Sequence, residues 1–83
     1  MTKLEILRSA FSARIDEVAQ YQINIDNYAR AIEKIDAEYK DKPAMLDFKK
    51  HLSELLESSE TEQLKAIIIR DVIADQISEL EDS

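Results

Sequence analysis

Apolar residues recur at alternating intervals of three and four through the first half of the chain. Nearly all positions of this repeat are apolar or tyrosine: Leu4, Leu7, Phe11, Val18, Tyr21, Ile25, Tyr28, Ile32, Ile35 and Tyr39, with Arg14 as the exception. This heptad spacing is typical of a helix that packs lengthwise along another helix. It predicts a first helix over about residues 3–40, and Thr2 and Glu5 predict a capping box at its start.

A break between two helices is predicted at Asp41-Lys42-Pro43. Proline suits the first turn of a helix and not its interior, and Asp41 is a candidate N-cap for the helix that follows. A second helix over about residues 44–57 is predicted, because its apolar residues again follow a spacing of three and four: Met45, Phe48, Leu52, Leu55 and Leu56.

Seven polar residues in a row, 57–63, interrupt the second half of the chain. One interpretation is a loop or kink near Ser58–Ser59, after which a second capping box at residues 59–62 starts a third helix over about 60–80. The other is one continuous helix over 44–81 with a solvated stretch in its middle. We favour the break.

The segment 60–80 is the most apolar part of the chain, and its apolar residues occupy two faces of a helical wheel. A helix that covers a single core needs only one apolar stripe. We therefore expect the second face to meet another subunit. The candidate oligomer interface is Leu64, Ile67, Ile68, Ile69, Val72, Ile73 and Ile77.

Folding the second half back on the first pairs residues whose numbers add to about 84. This register matches apolar residues along most of both arms and places Arg14 near Asp71 or Asp75, which suggests an ion pair. It leaves Tyr21, Ile25 and Tyr28 next to the polar stretch, and these three form the candidate patch for a partner protein.

These patterns predict an all-α fold with a single helical domain over residues 1–83. We expect a long antiparallel hairpin with a broken second arm, coiled-coil-like packing and an oligomeric state. The absence of glycine argues against sheets and tight hairpins, which commonly need a residue with positive φ. A chain of this length also buries only a small core, which favours oligomerisation.

The formal net charge is −7, with most of the excess in the last third of the sequence. We expect no direct binding to nucleic acid, because negative charge repels phosphates. No apolar run approaches the ~18–20 residues that span a bilayer, and no signal peptide is evident, so we expect a soluble cytoplasmic protein that does not bind membranes. The candidate acidic surface is Asp75, Glu79, Glu81 and Asp82.

Motifs for catalysis, metal or cofactor binding are lacking in the sequence. There is no cysteine, and His51 is the only histidine, with Asp47 and Glu54 within one helical turn of it. This trio is expected by chance in a highly charged helix, and the Glu-x-x-His motif of di-metal bundles is missing. We expect no enzymatic activity, no metal and no cofactor.

Three functions are therefore weighed. The first is a homo-oligomeric helical bundle that acts by binding another protein, as an adaptor, assembly or regulatory subunit. The second is a small acidic inhibitor or nucleic-acid mimic that occupies a basic groove of a partner protein. The third is a small-molecule or metal binder in the oligomer core, for which His51 would be the only anchor.

Overall fold

The computed structural model describes residues 1–82, which form a hairpin of two long antiparallel α-helices. Helix α1 spans Lys3–Glu38 and helix α2 spans Ala44–Glu81. No strand occurs within residues 1–82. The molecule is a rod with principal extents of 63 × 17 × 14 Å. The prediction of an all-α hairpin is confirmed.

The predicted N-cap at Thr2 is confirmed, while the carboxylate of Glu5 bonds to the Thr2 hydroxyl and not to the Thr2 main-chain N–H that a full capping box requires. The main-chain N–H of Glu5 donates to Oγ1 of Thr2 at 3.2 Å, and the Thr2 hydroxyl donates to Oε1 of Glu5 at 3.2 Å. These bonds satisfy one of the N–H groups that the first turn leaves without a helical partner. The helix then continues for 36 residues without interruption.

The chain reverses direction between Tyr39 and Pro43 without any residue at positive φ in the described part of the chain. Two tight turns do this, with hydrogen bonds from Lys42 N to Tyr39 O (3.0 Å) and from Met45 N to Lys42 O (2.9 Å). Pro43 occupies the N-cap position of α2, and no side chain caps this helix. The predicted N-cap at Asp41 is therefore wrong, because the turns delay the start of α2.

Helix α2 is continuous through the polar residues 57–63, so the predicted break near Ser58–Ser59 and the division into three helices are wrong. This stretch contains neither glycine nor proline, and its hydroxyl groups are accommodated within the helix. Oγ1 of Thr61 donates to the carbonyl oxygen of Glu57, one turn earlier, at 3.1 Å. Lys65 and Glu62 form an ion pair along the same helix at 2.9 Å.

The two helices meet along the predicted heptad seam. Every a and d position of α1 is buried or half-buried, and Tyr39, which follows the last residue of α1, is exposed. The side chains buried most completely are Ile35, Leu52 and Ala66, at 6%, 5% and 4% exposure. The core is therefore a line of contacts one layer thick, and most seam residues retain access to solvent.

Long-range polar contacts follow the predicted register closely in the middle of the rod and near the turn. Lys49 Nζ lies 2.6 Å from Oδ1 of Asp36, and Gln63 bonds across the seam to residues 18 and 22. At the open end, Arg8 Nη2 lies 2.6 Å from Oε1 of Glu81. The predicted register would place Arg8 opposite residue 76, so Glu81 lies a little more than one helical turn beyond the predicted position.

Candidate interaction surfaces

Four large apolar side chains of α2 remain exposed and are here called the α2 patch. Leu64 and Ile68 are each 60% exposed, and Ile69 and Val72 are each 48% exposed. Leu64, Ile68 and Val72 follow one another at intervals of four, so they lie on one face of the helix. Ile69 lies at the flank of the seam, about 60° around the helix from the buried Ala66. The patch extends over about two helical turns.

The other three residues of the candidate oligomer interface have a different environment. Ile73 and Ile77 are half-buried and share the seam face of α2 with the buried Ala66. Ile67 is half-buried at the flank of the seam. These three side chains therefore contribute to packing within the hairpin, which leaves the α2 patch as the surface available to a further molecule.

The charged residues that neighbour the α2 patch in sequence are of both signs. Lys65 is paired with Glu62, and Arg70 donates from Nε to Oδ1 of Asp71 at 3.0 Å. Lys65 and Arg70 are the only two cationic residues of the segment 57–83. Arg70 follows Ile68 by two residues, about 200° around the helix, so it lies on the seam side and not on the face of Leu64, Ile68 and Val72.

The candidate partner patch lies in the seam rather than on an open surface. Tyr21, Ile25 and Tyr28 are all half-buried. Between Tyr21 and the polar stretch of α2, Gln63 donates from Nε2 to the main-chain oxygen of Val18 (3.2 Å) and to Oε1 of Gln22 (3.0 Å). A polar bridge therefore takes the place of the apolar contact that the hairpin register lacks here.

Arg14 does not form the predicted ion pair with Asp71 or Asp75. Its Nε lies 3.2 Å from Oε2 of Glu17, one turn along α1, and Asp71 is held by Arg70. The Nε–H of Arg14 is enclosed without a hydrogen-bond acceptor among the described residues, so its contact with Glu17 is one of charge rather than of hydrogen-bond geometry. Local pairing at i,i+3 replaces the predicted pair across the seam.

The candidate acidic surface is exposed at the open end of the hairpin. Asp75, Glu79, Glu81 and Asp82 are all solvent-accessible, and Glu81 is engaged by Arg8. Neither helix has a basic residue in its last turn to offset the negative end of the helix dipole. The pairing with Arg8 supplies part of that compensation from the neighbouring helix.

Apolar residues near the turn are exposed to an extent that the sequence did not indicate. Leu46 is 61% exposed, Phe48 47% and Tyr39 42%. Phe48 and Tyr39 were expected in the seam. Their positions near the helix ends could have predicted this exposure, because the opposite helix ends there and covers these side chains less completely.

The trio around His51 lies on the solvent-exposed surface of α2. His51, Asp47 and Glu54 are exposed, and no group of three metal-ligating side chains occurs within residues 1–82. A shallow, open depression of about 320 Å³ is lined by Glu54, Glu57, Ser58, Thr61 and Glu62. Neither described helix combines the length and apolar character that crossing a bilayer requires.

No protein-family model matches the chain, and neither curated proteins nor solved structures give a match to it.

Proposed function

We propose that this chain is a non-enzymatic protein whose hairpins associate with copies of themselves into a helical bundle. The bundle acts by binding another protein, as an adaptor, assembly or regulatory subunit. The observation that carries this proposal is the large accessible surface of a fold only one helix pair thick. A rod of two helices buries its apolar side chains more completely when further helices pack against it.

The accessible area gives this argument a magnitude. The hairpin exposes 6121 Å². A compact monomer of 9.6 kDa is expected to expose about 5,100 Å². The excess of about 1,000 Å² is close to the roughly 800 Å² that each partner buries in an interface of standard size. Association of hairpins would therefore bring the exposure per chain back to that of an ordinary globular protein.

The radius of gyration supports the same proposal. It is 18.5 Å, whereas a compact domain of 83 residues is expected to have a value of about 12 Å. An elongated monomer with three buried side chains among residues 1–82 has little core to offset the entropy of ordering its chain. Association stabilises the folded state by mass action, because the unfolded chain does not present the same surface.

The test of self-association is the mass in solution, measured by light scattering after size exclusion over a dilution series. We expect a dimer or larger assembly that dissociates on dilution, and a melting temperature that rises with protein concentration. A mass of 9.6 kDa at every concentration, with a constant melting temperature, would contradict the proposal.

The second candidate function, an acidic inhibitor or nucleic-acid mimic, rests on the exposed carboxylates at the open end. Asp75, Glu79 and Asp82 present negative charge to solvent, and a basic groove on a partner would be complementary to it. Its test is binding to a basic, nucleic-acid-handling protein as the salt concentration rises. A variant with Asp75, Glu79, Glu81 and Asp82 neutralised that binds as well as the parent would rule this function out.

A further inference from the structure

One row of the seam keeps its heptad phase across the turn, although a hairpin does not require this. Every seventh residue from 7 to 77 is buried or half-buried, except Lys42 in the turn: Leu7, Arg14, Tyr21, Tyr28, Ile35, Lys49, Leu56, Gln63, Arg70 and Ile77. The turn of a hairpin sets the direction of each arm anew, so the two arms need not share a row. A seam that runs along a single long helix does need a shared row.

The second row of the seam shifts by one residue across the turn. In α1 it passes through Ile32, and in α2 it passes through Met45 and Leu52 instead of the residues one position later. With one row unchanged and the other shifted by one residue, the seam of a straight chain would rotate by about 50°, since one residue is about 100° of helix. A kink at Pro43 absorbs a rotation of this size.

The register across the seam has the symmetry that two exchanged chains require. Residues meet where their numbers add to about 84, so Lys49 pairs with Asp36 and Gln63 with Gln22. With a two-fold axis near residue 42, α1 of one copy meets α2 of the other through the same pairs.

We propose that two copies of this chain exchange their second helices. Each hairpin opens at residues 39–43, its two helices join into one long kinked helix, and two such chains pair antiparallel with residue 42 near the two-fold axis. This inference deepens the proposed function and rests on it, since it names how two copies associate. The opened dimer keeps the seam contacts and loses only the turn, and such an exchange is a low-cost route to a dimer.

The exposure of Tyr39 and Phe48 indicates what the exchange gains. Both residues belong to the seam by their spacing, but they are 42% and 47% exposed in the hairpin because the opposite helix ends beside them. In the opened chain neither helix ends there, so the second copy covers both side chains and removes apolar surface from water.

Pro43 is the residue of the turn that opposes opening. No described residue has positive φ, and Pro43 already has helical dihedral angles, φ −55° and ψ −33°. In the hairpin, the carbonyl oxygen of Tyr39 accepts a hydrogen bond from Lys42 N at 3.0 Å. In a continuous helix that oxygen would lack its usual donor, because proline has no N–H and its ring crowds the carbonyl one turn earlier. Replacement of Pro43 should therefore promote exchange.

The first experiment measures the length of the dimer by small-angle X-ray scattering, at a concentration where the dimer predominates. We expect a rod of about 120 Å, at ~1.5 Å per residue along one long helix. The hairpin alone is 63 Å long. A dimer of about the hairpin's own length would overturn the exchange.

The second experiment uses Pro43→Ala to separate exchanged helices from hairpins that join end to end, since both assemblies are long. Light scattering over a dilution series should show a dissociation constant at least about tenfold lower, because the change removes a helix breaker from the opened form alone. Ser53→Ala is the matched control. Ser53 is exposed and lies within a helix in both forms, so its replacement should leave the dissociation constant unchanged. Circular dichroism verifies that both variants are helical.

The outcomes separate the two proposals. A long dimer that Pro43→Ala tightens and Ser53→Ala does not supports the exchange. A short dimer, or a dimer that Pro43→Ala leaves unchanged, overturns the exchange while self-association stands. If the parent chain is a monomer at every concentration, the proposed function fails together with the exchange.

Discussion

At the scale of single residues, stability is concentrated in the few side chains that the hairpin encloses. Leu52 is 5% exposed in the seam. Leu52→Ala should lower the free energy of unfolding by about 2–4 kcal/mol, because it removes apolar contacts and leaves a cavity. Denaturant titration at one fixed protein concentration measures this change. Ile23→Ala, on the outer face of α1, is the control and should change stability by less than about 0.5 kcal/mol.

Gln63 provides a second test, because it replaces an apolar seam contact with hydrogen bonds. Its carboxamide reaches both Val18 O and Gln22 Oε1. We expect Gln63→Ala to cost about 0.5–1.5 kcal/mol, while Gln63→Leu should cost less or stabilise the hairpin, since an apolar side chain suits the seam. Chemical denaturation of both variants measures this order. A larger loss for Gln63→Leu than for Gln63→Ala would show that the seam does not accommodate a large apolar side chain here and would contradict this expectation.

At the scale of the elements, the sequence predicted the seam well and the helix ends less well. Heptad spacing depends only on residue type and periodicity, so the a and d positions from Leu4 to Ile35 were identified correctly. The polar run 57–63 was misjudged because polarity signals a loop only where glycine or proline also breaks the backbone pattern. Asp41 was misjudged because a cap is defined by turn geometry, which a composition pattern does not contain.

The two interpretations of residues 57–63 predict opposite effects of Ser59→Ala on the free energy of unfolding. Within a continuous helix, Ser59→Ala should stabilise the chain by about 0.5 kcal/mol, because alanine is the better helix former. As the N-cap of a third helix, Ser59 would instead contribute, and its loss would cost about 1 kcal/mol. Thr2→Ala is the matched control, since Thr2 does cap α1, and it should be destabilising. Thermal unfolding of the two variants side by side decides the matter.

At the scale of the whole molecule, the sequence indicated that the chain buries only a small hydrophobic core, and the structure shows how few side chains that core contains. An apolar stripe on each side of the segment 60–80 was visible from residue types alone, but the division of those residues between seam and solvent was not. Ile69 and Ile67 illustrate the difficulty. They are two positions apart and chemically identical, and the rotation of α2 about its own axis makes one exposed and the other half-buried.

The net charge of −7 gives a prediction about assembly as a whole. Two copies repel each other at long range, while the exposed apolar side chains of the hairpin favour association at short range. Added salt screens the repulsion, with a Debye length that falls from about 10 Å at 0.1 M to about 3 Å at 1 M, and leaves apolar association intact. We therefore expect the dissociation constant of the dimer to decrease when sodium chloride is raised from about 0.05 M to about 0.5 M, because exposed charges become screened over this range.

Analytical ultracentrifugation at both salt concentrations measures this change, and Ile23→Glu, which adds a negative charge at an exposed position, should steepen the salt dependence. Dissociation of the dimer at high salt would mean that ion pairs hold the copies together and would contradict association through apolar side chains. The same titration separates the two candidate functions. A complex between the acidic open end and a basic groove should weaken as salt rises, because it gains its free energy from the charges that salt screens.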